Sequence, residues 1–213
     1  MAIMPDLSTQ SIYSVFAETA ERRRDYPAVI YLGSRFSYRR VRQLAEAFAA
    51  ALAGLGVTPG QKVMLYIPNG IQWVVAWLGV QRLGAVVVPI TPIYTPHDIT
   101  YIANDSGAET ILCADTNFGY VSSALPQTGL KRVIFSNMAD LLPAWKRAFG
   151  YLFDVVPRGR TARSGIAHAF HRLIANAIGK PLPEGNGSGG SDTAEILYTG
   201  GTTKFPKGVP ISH

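Results

Sequence analysis

Short apolar runs alternate with stretches of helical periodicity through the middle of the chain. Four such runs have the length and composition of buried strands, at 61–67, 85–90, 109–113 and 131–135. Strands that alternate with helices in this way pair in parallel, because each right-handed crossover places a helix on one face of the sheet. We therefore predict an α/β fold in which helices flank a parallel-type sheet.

The segments around these runs carry their own start and stop signals. Thr95 offers a capping hydroxyl and Pro96 fits the first position of a helix that ends near Gly107. A two-stranded hairpin is predicted at 28–38. Further helices are predicted at 11–23, 41–55, 71–83 and 118–125.

Composition excludes several classes of protein. With 47% hydrophobic and 16% charged residues the chain has ample material for a core. The lone Cys113 excludes an intramolecular disulfide, and four scattered histidines predict no metal site. The apolar window at 71–90 contains Gln72, Gln81 and Arg82, which favours a buried helix and strand over a membrane span. Since no signal-peptide pattern begins the chain, we expect a reducing, cytoplasmic setting.

The basic character, a pI near 9.5, belongs to one segment. Between Lys131 and Lys180 nine basic residues face two acidic ones, a net charge of +7, which leaves −1 for the rest of the chain. Because the excess is not spread along the fold, nucleic acid is not predicted as a partner.

An apolar stripe runs through the same segment. A helix here would lie on an anionic membrane surface, with 137–180 as the contact, at the inner face of the membrane. The alternative, which the same periodicity supports equally, is an ordinary core helix that packs on the sheet and is followed by a solvated basic loop. The residues that share a face at helical spacing are Leu141, Leu142, Trp145, Phe149, Leu152 and Phe153, next to Lys146 and Arg147.

The same compositional shift divides the chain. We predict an α/β subdomain at 1–136, and then a basic, aromatic-rich insertion at 137–191 whose end is a Gly/Ser linker. A new subdomain is predicted to begin at 192–213 with a strand at 193–198.

The stretch that follows this strand has the parts of a phosphate cradle. Glycines let backbone N–H groups converge on an anion, hydroxyls add donors, and a lysine adds positive charge. The pattern is not the Walker motif, and a Gly/Thr surface hairpin remains the alternative. The candidate nucleotide-binding residues are Thr199, Gly200, Gly201, Thr202, Thr203, Lys207 and Gly208.

From Tyr198 to His213 the chain resembles the phosphate-binding signature of AMP-forming acyl-CoA synthetases, in the adenylate-forming superfamily. Further motifs follow the family's order and spacing, so the resemblance covers nearly the whole chain. It is strongest to the long-chain fatty-acid–CoA ligases. These motifs are Phe36-Ser37-Tyr38, Pro68-Asn69-Gly70, 82–89, Pro92-Ile93-Tyr94 and 105–108.

The resemblance implies a reaction and its partners. In such enzymes the loop holds the β- and γ-phosphates of ATP, with Mg²⁺, while a fatty carboxylate attacks the α-phosphate. CoA then displaces AMP from the acyl-AMP. Lys204 stands where the family has a glycine, which places ATP affinity in question.

The resemblance also bears on catalysis by these residues. The family's adenine-binding segment, ribose-binding aspartate and adenylation lysine follow the position of His213, so no catalytic residue is expected within the 213 residues. We therefore expect an incomplete N-terminal domain of an adenylate-forming enzyme, inactive alone. The alternatives are a fatty acyl-AMP ligase, an aryl acid ligase, or a non-catalytic membrane-associating domain.

Overall fold

A computed structural model describes residues 10–161, 165–182, 189–199 and 206–213. Helices and strands alternate through most of this part of the chain. The α-helices are α1 (Ile12–Arg22), α2 (Tyr38–Gly54), α3 (Ile71–Leu83), α4 (Pro96–Ser106), α5 (Phe118–Ala124), α6 (Ala144–Leu152) and α7 (Phe170–Ala177). The strands are β1 (Pro27–Tyr31), β2 (Ser34–Ser37), β3 (Lys62–Tyr66), β4 (Val86–Pro89), β5 (Thr110–Ala114), β6 (Arg132–Ser136), β7 (Ala167–Ala169), β8 (Thr193–Tyr198) and β9 (Gly208–Ser212).

Seven of these strands form one sheet in the order β7-β6-β5-β3-β4-β8-β9. Neighbouring strands run parallel except β8 and β9, which form an antiparallel hairpin. Strands β1 and β2 make the separate antiparallel hairpin that the sequence predicts. The α/β fold with a mostly parallel sheet between helices is therefore confirmed.

The four central strands, β3 to β6, bury both of their faces, as the apolar runs predict. Along β3, Val63 and Leu65 enter one core cluster, whereas Met64 and Tyr66 enter the other. Helices α2, α3 and α7 cover the first face; α4 and α5 cover the second. Two hydrophobic cores thus sandwich the sheet.

The window at 71–90 is a helix and a strand rather than a membrane span. Buried residues line most sides of α3, and β4 follows it after Gly84, whose φ of 75° lies in the left-handed region. Among the described residues, no helix combines the length and the apolar character needed to cross a bilayer.

The sheet crosses both of the predicted domain boundaries. Strand β7 pairs with β6, and β8 pairs with β4 through Val87 and Glu195. Helix α7 packs on α2, where the Phe170 and Phe48 rings are 4.9 Å apart between centroids. The sequence predicts neither β7, α7 nor β9. The described parts of 137–191 and 192–213 therefore extend the same sheet as 1–136.

Candidate functional site

The carboxyl ends of β3, β5 and β6 surround a cavity of about 340 Å³, called here the edge cavity. The chain leaves β3 toward β4 on one side and leaves β5 toward β6 on the other. Such a reversal opens a crevice at the carboxyl edge of a parallel sheet, which is where α/β proteins bind ligands. The fold therefore predicts a binding site among the loops at this edge of the sheet.

The walls of the edge cavity are largely apolar. Tyr31, Pro68 and Met138 contribute to them, and Pro157 closes the cavity from the basic segment. Burial raises the pKa of Tyr31. At the base, the Gln72 Nε2 group donates hydrogen bonds to the carbonyl oxygens of residues 137 and 138 (3.1 and 2.9 Å), which joins α3 to the end of β6.

Asn137 fastens the segment that follows β6. It is only 8% exposed. Its Nδ2 donates to Asp115 Oδ2 (2.9 Å) and to the Pro157 carbonyl (2.8 Å). Its Oδ1 accepts from the backbone N–H of Ala139 (2.9 Å) and from the Tyr151 hydroxyl (3.2 Å). One amide side chain therefore ties β5, α6 and the chain beyond α6 together.

Two further groups complete this anchor. The Asp115 carboxylate accepts the Gly159 N–H (3.1 Å), and a Cβ on Gly159 would overlap the Asp115 backbone. Asp140 accepts from Ser136 Oγ (3.1 Å) and approaches His171 Nδ1 (3.3 Å). Burial is the largest influence on the Asp140 carboxyl and raises its pKa.

The predicted phosphate loop, 199–208, joins β8 to β9 at the same edge of the sheet. Its two ends lie together: the Thr199 N–H donates to the Lys207 carbonyl (3.1 Å), and the Lys207 N–H donates to Thr199 Oγ1 (3.3 Å). Because that hydroxyl accepts, its own proton remains available for an anion. Both side chains are exposed.

Of the seven predicted contacts, the structure brings Thr199, Lys207 and Gly208 together. Gly208 pairs with Tyr198 across the hairpin. A Cβ at Gly208 would lie 3.2 Å from Tyr198 Cζ and 3.0 Å from Ile196 Cγ2, so the glycine makes room for the phenol ring. The other four predicted contacts are Gly200, Gly201, Thr202 and Thr203. These four residues and Lys204 lie outside the described residues.

Helix α3 fixes the strand that leads into the loop. The Gln81 Nε2 group donates to the buried Ala194 carbonyl (2.9 Å), and Trp77 Nε1 donates to Glu195 Oε2 (3.2 Å). At the far end of β9, His213 Nδ1 accepts the Ile12 N–H (3.2 Å). Burial lowers the pKa of His213. Within the described residues, His213 therefore joins the end of β9 to the start of α1.

Two residues of α4, which no sequence pattern marks as site residues, hold the ends of the loop. Tyr101 donates its hydroxyl to the Pro206 carbonyl (2.9 Å), and Tyr198 donates to Asp105 Oδ2 (2.6 Å). The sequence offers only a weak signal for these two residues. Asp105 belongs to the family motif at 105–108, but Tyr101 belongs to no motif, and neither lies near the loop in sequence.

The apolar stripe of the basic segment divides into two parts. Leu142 precedes α6 and is buried, whereas Leu141 is half-buried against the first core. The prediction of one shared face is therefore wrong for these two leucines, since the helix begins only at Ala144. The other members, together with a neighbouring valine, are 55% to 79% exposed and form what is called here the α6 surface: Trp145, Phe149, Leu152, Phe153 and Val155.

Basic residues of α6 and of the chain that follows it accompany the α6 surface, and two of them donate to backbone carbonyls. Lys146 Nζ donates to the Leu32 carbonyl (2.9 Å), and Arg158 donates to the Tyr151 carbonyl (2.8 Å). Arg160 is exposed and Arg147 is half-buried. An exposed apolar patch rimmed by charge is typical of an interaction surface.

Comparison with known proteins places this architecture in a family. The family model described as AMP-binding enzyme matches residues 16–213. A long-chain-fatty-acid–CoA ligase of Escherichia coli O157:H7 is 32% identical over 96% of this chain, which spans 37% of the ligase's length. Surfactin synthase subunit 1 of Bacillus subtilis is 35% identical over 99% of this chain and 5% of its own.

A solved structure shares the fold at lower identity. The anthranilate CoA ligase AuaEII, in complex with anthranoyl-AMP, superposes with a TM-score of 0.78 at 21% identity, over 96% of this chain and 35% of the ligase. The family model covers most of the chain, and the fold as a whole matches that of a solved ligase. The chain belongs to the AMP-binding enzyme family.

Proposed function

We propose that this chain supplies the phosphate-binding loop of an AMP-forming acid–thiol ligase that activates long-chain fatty acids for transfer to CoA. The observation that carries the proposal is the hairpin, which places Thr199 and Lys207 side by side at the carboxyl edge of the sheet. The 32% identity with a long-chain-fatty-acid–CoA ligase supports the choice of acid.

In the proposed reaction a carboxylate oxygen of the fatty acid attacks the α-phosphorus of ATP, and the bond to pyrophosphate breaks. The CoA thiol then attacks the acyl carbon and AMP leaves. The loop residues take no proton in either step. The Lys207 ammonium offsets the negative charge of the β- and γ-phosphates, and the Thr199 hydroxyl donates to a phosphate oxygen. Mg²⁺ would arrive on the phosphates, its usual carriers.

The loop contacts are tested with magnesium pyrophosphate, the smallest probe that fits the proposal. Calorimetric titration of the 213-residue chain should give saturable binding, and Lys207→Ala should weaken it about tenfold or more, because a bond to a charged group is lost. Lys62→Ala is the matched control, since Lys62 begins β3 at the opposite edge of the sheet. Equal affinity in the wild type and Lys207→Ala would contradict the assignment.

We further propose that the 213 residues alone form no acyl-AMP. They span 37% of the length of the ligase relative, and adenylation needs simultaneous contacts to the acid, the nucleotide and the phosphates. Palmitate-dependent exchange of label between pyrophosphate and ATP should therefore be absent. Exchange by the purified chain, with palmitate or with benzoate, would overturn this proposal.

We also propose that the α6 surface contacts an anionic membrane, the source of acyl-chain substrate. The exposed aromatic rings support this, because they would enter the interface while Arg147 and Arg160 meet the lipid headgroups. The basic residues on α6 and in the chain just after it supply the attraction, at about 1 kcal/mol for each one near the surface. Lys131 and Arg132, at the start of β6, pair with Glu109 instead. Arg163, predicted to contribute, lies outside the described residues.

Vesicle sedimentation tests this surface. Binding to vesicles that contain phosphatidylglycerol should exceed binding to phosphatidylcholine vesicles and should weaken with salt. The double variant Trp145→Ser/Phe149→Ser should reduce binding about tenfold or more, since two apolar side chains no longer enter the interface. Ile93→Ser is the matched control, at a position 82% exposed outside the α6 surface. Equal binding to both vesicle types, or none at low salt, would contradict the proposal.

A further inference from the structure

Helix α4 is hydrogen-bonded to both ends of the phosphate loop, and a tyrosine hydroxyl is the donor in each bond. Tyr101 donates to the carbonyl of Pro206, which lies just before β9. Asp105 accepts from Tyr198, the last residue of β8. Tyr101 and Asp105 are four positions apart and share one face of the helix. A single helical face therefore contacts the chain where it enters the loop and where it leaves.

Helix α4 is itself a fixed platform. Its first turn has a complete capping box, in which the side chains of Thr95 and Asp98 satisfy each other's backbone N–H groups. Ile99 and Ile102 are fully buried beneath it. The rings of Tyr101 and Tyr198 pack on the same core, and their hydroxyl groups make the hydrogen bonds that tether the ends of the loop to α4.

The Tyr198 phenol is suited to act as a permanent donor. Burial, followed by its hydrogen bond to Asp105, raises its pKa well above the ordinary tyrosine value. The hydroxyl therefore keeps its proton over the range in which the protein is folded. Gly208 leaves the space that this ring occupies.

We propose that Tyr101, Asp105 and Tyr198 are positioning residues that set the geometry of the phosphate loop. They hold the two ends of the loop at a fixed separation, so that Thr199 and Lys207 face a phosphate together. Loop ends that are fixed in advance lose less conformational entropy when the ligand binds. This inference rests on the proposed phosphate-binding function and adds the residues that tune it.

Three substitutions to phenylalanine separate positioning from general stability. Tyr101→Phe and Tyr198→Phe each remove one hydroxyl and keep the ring. Tyr13→Phe is the matched control, because it removes a comparable phenol–carboxylate bond, from Tyr13 to Glu46 (3.0 Å), between α1 and α2. Hydrogen exchange of the peptide 193–213 without ligand and the affinity for magnesium pyrophosphate are measured for each.

Each loop variant should raise exchange at the loop ends about fivefold and weaken pyrophosphate binding about fivefold, the effect of one lost hydrogen bond. Tyr13→Phe should leave both unchanged while lowering the unfolding midpoint. Asp105→Asn keeps an acceptor oxygen and should retain most of the affinity, whereas Asp105→Ala should match Tyr198→Phe.

Two results would overturn the inference and can be told apart. If the wild type binds pyrophosphate and both tyrosine variants bind it equally well, the positioning role is wrong and the proposed function stands. If the wild type binds no pyrophosphate, the proposed function fails and the positioning role fails with it. Faster exchange in the tyrosine variants would then mark the tether as purely structural.

Discussion

The β8–β9 hairpin and the segment 137–161 both leave the carboxyl edge of the sheet, yet they are fastened in opposite ways. The hairpin is held from outside, by Tyr101 and Asp105 of α4 and by side chains of α3, and every residue of β9 is exposed. The segment is held from inside, by the buried amide of Asn137, and its helix α6 presents aromatic rings outward.

The difference in fastening agrees with the two uses proposed above. A hairpin tied at its stem offers a rigid base for a binding loop. The segment 137–161 is anchored through Tyr151 and Pro157, so it can present an apolar surface to solvent and stay attached to the sheet. We infer that one edge of the sheet serves two kinds of partner, a phosphate group and a lipid surface.

The largest expected effect is on the inner anchor. Asn137→Ala removes four hydrogen bonds and leaves buried partners unsatisfied, so the free energy of unfolding should fall by about 3 kcal/mol. Urea denaturation measures it. Asn104→Ala is the control, because it removes one exposed bond, to the Gln127 carbonyl, and should lower that free energy by under about 1 kcal/mol. Equal losses would mean that Asn137 does not anchor the segment.

A smaller effect is expected in the hairpin. Gly208→Ala places a Cβ against the Tyr198 ring, which should lower the free energy of unfolding by about 1 kcal/mol and weaken pyrophosphate binding severalfold. Gly129→Ala is the control, since its Cβ would meet nothing within 4 Å. Denaturation and calorimetry report the two quantities. An unchanged affinity of Gly208→Ala for pyrophosphate would mean that the position of the Tyr198 ring does not affect binding by the loop.

The smallest expected effect depends on pH. Burial lowers the folded-state pKa of His213, and its Nδ1 must be unprotonated to accept the Ile12 N–H. The unfolded chain therefore binds the proton more readily, so stability present above about pH 6.5 should be lost as pH falls through the folded-state pKa. Hydrogen exchange near Ile12 should rise on acidification in the wild type. In His213→Gln it should stay flat; a parallel rise in both would exclude His213.

Local patterns predict the elements that the core defines. The strands β3 to β6 follow from apolar runs, and Gly84 and Gly107 mark the ends of α3 and α4 through their positive φ angles. Strand β7 has three residues with no alternating pattern, so only its pairing with β6 defines it. The partners of a short strand lie far away in sequence, and periodicity does not report them.

Periodicity is equally silent about which apolar face is covered. Helices α3 and α6 both carry apolar residues, but α3 is enclosed between α2 and the sheet whereas Trp145 and Leu152 on α6 meet solvent. In the candidate site, the composition of the loop predicts Thr199 and Lys207. Tyr101 could not be found in this way, because its role depends on a helix about one hundred residues from the loop in sequence.

Hydrogen exchange with two ligands tests the division of the carboxyl edge most directly. Magnesium pyrophosphate should protect the peptide 193–213 and leave 144–161 unchanged. Vesicles containing phosphatidylglycerol should protect 144–161, which holds the α6 surface, and leave 193–213 unchanged. Protection of 144–161 by pyrophosphate, with none in 193–213, would place the anion site in the basic segment and contradict the assignment of the hairpin loop.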